Sequence, residues 1–180
     1  MAGRVIDLST TWQLPDFGAF DTCVLIDAFM APVGSDPQRI RRARNAVASV
    51  TSGDFGGFIL PPVLEELLHF YIRTRYEQDQ PNLEPTIRKW TKVYKRHPLE
   101  TRKYAREFET IILPNLRSAG FVIEETHAPS AGSKSIVDEL CGSVRDFALL
   151  TKDALIVSAA RNLGCDGVVT ADQDMMRAQS

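Results

Sequence analysis

The chain has 180 residues, is 44% hydrophobic and 24% charged, and carries a formal net charge of -2. That length suits one domain with a real core, and the composition is that of a globular chain rather than a disordered or fibrous one. The charge balance excludes a uniformly basic surface, no apolar run approaches a membrane span, and three sparse cysteines (Cys23, Cys141 and Cys165) exclude a disulfide frame and read as buried thiols in a reducing, cytoplasmic setting.

Residues 1–18 read as an extended N-terminal leader without the apolar core of a signal peptide, and 19–180 as a single domain. "AFDTCVLI" is apolar and β-prone and predicts a strand running into a turn. "GSDPQRIRRARNAVASV" predicts a helix with Ser35 or Asp36 as N-cap, Pro37 in the first turn and an apolar stripe of Ile40, Ala43, Val47 and Val50. "FIL" predicts a short strand, and "PVLEELLHFYIRTRYEQ" a helix on which Leu64, Leu67, Leu68 and Tyr71 recur with helical period. Helical segments are expected at about 86–95 and 99–119, interrupted or kinked at Pro98 and Pro114. "FVIEE" reads as a strand and "SIVDELCGSVRDFA" as a helix. "LLTKDALIVSAARNLG" reads as a helix capped by Thr151 and stopped by Gly164, and "GVV" as a last strand. Strands alternating with helices predict a three-layer α/β domain around a mostly parallel sheet.

In such sheets, sites lie at the carboxyl ends of strands. Acids recur there: Asp21 beside the first strand, Glu65 and Glu66 in the helix after "FIL", Asp153 in the first turn of its helix, and Asp172 and Asp174 after the last strand. Each has a bland explanation. Asp153 suits a helix dipole, Glu65 and Glu66 a solvated face, Asp172 and Asp174 a turn, and either Asp21 or Asp27 a cap. Together they make one group of hard oxygen donors, which repel one another unless a divalent cation such as Mg²⁺ or Mn²⁺ is shared between them. His69, His97 and His127 fall in different segments and form no nucleophile–base pattern, and no Gly-rich phosphate loop follows the first strand.

Three blocks resemble the PIN-domain nucleases: "FDTCVLID", "LPPVLEELLHF" and "LTKDALIVSAARNLGCDGVVTADQDM", the last the most specific, with Asp153 and Asp172 nineteen residues apart. The resemblance implies a PIN-like α/β/α sandwich and a Mg²⁺- or Mn²⁺-dependent endoribonuclease. By position it makes Asp21, Glu66, Asp153 and Asp172 the catalytic and metal-binding acids, Asp174 a further ligand and Thr170 an auxiliary hydroxyl, with Asp27 and Glu65 as alternatives. It also implies RNA as substrate, an antitoxin partner if the chain is the toxin of a toxin–antitoxin pair, and a homodimer. Two departures stand out: Cys23 where a polar residue is common, which weakens a hydrogen bond to the first acid, and Met175 where an aromatic is common. A catalytically inactive RNA-binding or protein-interaction module of the same fold is the alternative.

Asp153 follows Glu66 by 87 positions, which predicts an inserted helical region at about 73–120. Within 86–106 stand eight Lys or Arg against Glu100 alone, and Arg39, Arg41, Arg42 and Arg44 form a second basic group, so the rest of the chain is strongly acidic. Arg88, Lys92, Lys95 and Arg96 share a predicted helical face that can follow a phosphate backbone, and Trp90, Tyr94 and Tyr104 are placed to stack on bases. The plainer explanation is a solvated face above packed aromatics.

Overall fold

A computed structural model of the chain describes residues 4–8, 16–31, 34–79, 90–124, 136–147 and 149–175. The strands are β1 (Arg4–Asp7), β2 (Phe17–Phe20), β3 (Gly56–Ile59), β4 (Val122–Ile123) and β5 (Gly167–Thr170). They form one sheet in the order β1-β5-β2-β3-β4, with every pairing parallel. Parallel sheets are covered by helices on both faces, and β5, buried at all four residues, fits that arrangement. The expected α/β class is therefore the observed one. Residues 4–7, read from the sequence as leader, are the edge strand of this sheet.

The first block departs from expectation. β2 stops at Phe20, because the Asp21 carboxylate accepts the Thr22 N–H at 2.7 Å and caps a helix, α1 (Thr22–Leu25). The apolar "CVLI" run that looks like a strand is thus helical; a cap outweighs the β preference of valine and isoleucine. The helix widens into a π-helical turn, Ile26–Met30, and ends at Ala31 with φ 40°. α2 (Pro37–Thr51) follows, with Asp36 as N-cap accepting from Gln38 N–H and Pro37 in the first turn.

α3 (Pro61–Asp79) is continuous. After it, α4 (Trp90–Arg96) and α5 (Pro98–Glu107) form the insertion; Pro98 opens a helix rather than breaking one. Nor does Pro114 break the chain. A π-helical turn, Phe108–Ile112, leads into α6 (Leu113–Ser118), where the proline sits in the first turn and needs no N–H partner. The expected strand "FVIEE" shrinks to two residues. α7 (Ile136–Phe147) and α8 (Thr151–Asn162) complete the helices among the described residues. Leu150, with no side-chain cap, occupies the cap position expected of Thr151, while Gly164 ends the segment at φ 72° as expected.

The main core joins the sheet to α1, α2, α3, α6 and α8, through residues such as Phe20, Val24, Leu67, Leu116 and Ile156. Gly57 makes one layer possible: a Cβ there would lie 2.8 Å from atoms of Phe121 and Val50, so only glycine lets them rest on β3. A second, smaller core holds the insertion against the far half of α3: Ile72, Tyr76, Val93 and Tyr104. Tyr104 is 1% exposed, so it offers no face for stacking on a base.

Candidate active site

The strand order reverses direction around β2. The chain runs outward through β3 to β4 and returns to place β5 on the other side of β2. Ligands of open α/β sheets bind at such reversals, outside the carboxyl ends of the strands. Asp21 follows β2 directly, and its N–H donates to Val169 O of β5 at 2.9 Å. Thr170 is the last residue of β5, and Asp172 stands two residues beyond it. Glu66 lies in the second turn of α3, and Asp153 in the first turn of α8. A pocket of about 280 Å³ is lined by Asp21, Glu66, Asp153 and Asp172 together. The four acids that the motif selects thus share one cavity.

Their bonds distinguish them. Asp21 is 6% exposed, yet among the described residues it forms no salt bridge. Its Oδ2 accepts from the Thr170 hydroxyl at 2.6 Å and from the Cys23 thiol at 3.0 Å. Burial pushes its carboxyl up, those three donors (Cys23, Thr170 and Thr22 N–H) pull it down, and the charge of Glu66 pushes it up again. Thr170 Oγ1 in turn accepts the Asp172 N–H at 2.9 Å, tying the first acid to the last. Asp172 Oδ1 accepts the Asp174 N–H at 2.8 Å. The Cys23 thiol, expected to leave the first acid poorly held, does reach it. It lines the pocket with its pKa raised by burial and by Asp21, and accepts the Ala171 N–H at 3.4 Å.

Glu66, not Glu65, faces the pocket. Its Oε2 accepts from the Thr22 hydroxyl at 2.9 Å, whereas Glu65 is exposed. Thr22 was not singled out by the motif reading. Its signal was its place directly after Asp21, at the first position of a capped helix. Asp153 carries the clearest electrostatic mark: burial first, then the charges of Asp21, Asp172, Glu66 and Asp174, push its carboxyl up to about 6. Asp174 acts on Asp153 through its charge but does not line the pocket.

Asp27 has a different situation. It is 1% exposed and is held by Arg39 Nε at 2.5 Å. Together they line a second cavity of about 190 Å³, with Val24, Arg42, Ala171 and Gln173. Asp27 is therefore a buried ion-pair partner outside the acidic pocket.

Three more residues of the pocket wall escaped the sequence reading: His69, Phe70 and Arg73. They follow Glu66 by three, four and seven residues, a spacing that puts them on one helix face. Of the expected nucleic-acid contacts, Lys92, Lys95 and Arg96 are exposed on α4, and Arg88 lies outside the described residues. His127 lies outside them too, and His97 packs against Tyr76.

By donor type the acids suit a hard divalent cation, being carboxylate oxygens around one pocket with a hydroxyl beside them. The mutual repulsion recorded at Asp153 is what such a charge would offset. As the side chains are placed, no three His, Cys, Asp or Glu among the described residues converge into a closed ligand group. Nor, among those residues, is any helix long and apolar enough to cross a membrane.

No curated protein and no solved structure matches the chain significantly. Residues 19–179 match the family model described as PIN domain, and with this pocket at the reversal of a parallel sheet the chain belongs to that family, whose fold is nuclease-type and generally metal-dependent.

Proposed function

We propose that the protein is a Mg²⁺- or Mn²⁺-dependent endoribonuclease, with Asp21, Glu66, Asp153 and Asp172 as its catalytic and metal-binding acids. The observation that carries this reading is that all four line one pocket beyond the carboxyl ends of β2 and β5. Asp174 and Thr170 play supporting parts. Thr170 positions Asp21 and the Asp172 backbone through a single hydroxyl, and Thr22 does the same for Glu66. Burial and the neighbouring acids hold the Asp153 carboxyl up at about 6, and a bound cation would favour its ionised form. When bound, the cation would supply Lewis acidity, activating water and neutralising charge on the phosphate. Lys92, Lys95 and Arg96 on α4 would follow the RNA backbone beside the pocket.

Within this reading the chain is either the toxin of a toxin–antitoxin pair, with a small antitoxin covering the acids, or an RNA-processing enzyme. A short open reading frame next to its gene would favour the toxin. A cytoplasmic location and a homodimer belong to the same reading. A second reading, a PIN-fold module that binds RNA or protein without cutting, is favoured by one observation: the acids do not close into a three-donor group as placed. The deciding assay is cleavage of mixed RNAs with Mn²⁺ or Mg²⁺, alongside Asp153→Asn. Metal-dependent cleavage that EDTA and the substitution both abolish, with folding intact, establishes the nuclease. Equal cleavage by both proteins removes it.

A further inference from the structure

The pocket is lined by residues of two unlike kinds. One is the cluster of carboxylates. The other is His69, Phe70 and Arg73, which continue along α3 from Glu66 and to which the mechanism above gives no task. Phe70 is half-buried, and among the described residues it packs with neither hydrophobic cluster. An aromatic ring that lines a polar cavity without joining a core is well placed to receive a planar ligand. Arg73 is half-exposed beside it. Its guanidinium lies over the Trp90 ring at 5.6 Å from the centroid, and its Nε pairs with Glu77 at 2.9 Å. His69 is held from the insertion: the Tyr94 hydroxyl lies 2.9 Å from its Nδ1, and the two rings meet edge to face at 5.5 Å. Burial pushes the Tyr94 hydroxyl up to about 12, so its one proton goes either to that nitrogen or to His69 O at 3.5 Å. Donation to the nitrogen would leave the proton of a neutral ring on Nε2, whereas donation to the carbonyl would let Nδ1–H donate to the hydroxyl.

We infer that His69, Phe70 and Arg73 form a substrate wall that takes one unpaired nucleotide flanking the cleaved phosphodiester, Phe70 stacking on its base while His69 and Arg73 bind phosphate. Tyr94 is a positioning residue for His69. The inference rests on the nuclease reading and narrows it to single-stranded substrate, because a base can stack on Phe70 only when it is out of a duplex. It also gives the insertion a purpose. α4 reaches the pocket wall through Tyr94 and Trp90, and Lys92, Lys95 and Arg96 are exposed on the same helix.

The test measures binding of labelled oligouridylate, oligoadenylate and a short RNA duplex in EDTA, where no cleavage is needed. Phe70→Leu should weaken single-strand binding about tenfold, and Phe70→Tyr should restore it. Arg73→Gln should lower the slope of log affinity against log salt by about one phosphate contact. In the cleavage assay Tyr94→Phe should raise KM severalfold at unchanged kcat, a split that loss of fold would not produce. Duplex bound as tightly as single strand, no binding of either oligonucleotide, or unchanged affinity in Phe70→Leu would each overturn the wall. Metal-dependent cleavage by the unmodified chain is scored separately. Its absence alongside an intact Phe70 effect would remove the nuclease reading and leave a single-strand binding wall.

Discussion

Two aspartates six residues apart, one capping a short helix and one just beyond it, occupy separate cavities. Asp27 is matched by a cation: Arg39 stands against it and Arg42 lines the same space. Asp21 is matched by neutral donors, the Thr170 hydroxyl, the Cys23 thiol and the Thr22 N–H, and is surrounded by other acids. Both are almost fully buried, so burial does not separate structure from function here. The company does. A carboxylate with its own arginine is complete. One held by weak donors among like charges retains an unmet demand for positive charge.

The largest effect that can break this comparison is on cleavage. Asp21→Asn should lower the rate more than about 100-fold, beyond the usual cost of losing an outer-shell partner, while Asp27→Asn stays within a few-fold per folded molecule. Single-turnover cleavage with Mn²⁺ measures both, and the reverse order would mean that Asp27 is the working acid. Second in size is Glu66→Gln, expected to cost roughly tenfold or more in the same assay, with Glu65→Gln near the parent rate. Stability comes third. Arg39→Gln strands a buried charge and should cost about 1–3 kcal/mol, less than for a fully enclosed pair because the arginine is half-exposed. Urea midpoints measure it. No loss there would leave Asp27 without its structural role.

The smallest effect is on pH dependence. The folded chain holds the Asp153 proton up to about 6, against 3.8 when unperturbed. The stability this contributes is complete below about 3.8 and lost as pH rises through about 6. Metal-free protein should therefore have a Tm a few degrees higher at about pH 5 than at about pH 7, relative to Asp153→Asn, and Mn²⁺ should raise Tm more at the higher pH. Parallel profiles for the two proteins would dissolve the shared acidic field.

The site was legible where its logic was local. "TKDALIVSAARNLGCDGVVTADQD" encodes one helix, a glycine stop at positive φ and one strand, and each has its own short-range cause. Asp36 and Pro37 announced α2 for the same reason. "CVLI" misled because its β preference is also local, while the cap that overrides it depends on a single carboxylate. What stayed hidden is long-range. Residues 4–7 pair with β5 across the chain, Arg39 reaches Asp27, and Tyr94 reaches His69, and no periodicity encodes such partners. The π-helical turns that reset α1 and the approach to Pro114 were equally invisible.

β5 lies between β1 and β2, although it follows both in the chain by more than a hundred residues. The ribosome therefore delivers this interior strand after the other described strands of the sheet. Until then Asp21 has no Thr170 to hold it, and Asp153 and Asp172 have not both been translated. On the proposed reading, a nascent chain carries half an active site until β5 has been made, and the blade is assembled only once Asp153 and Asp172 have joined Asp21 and Glu66.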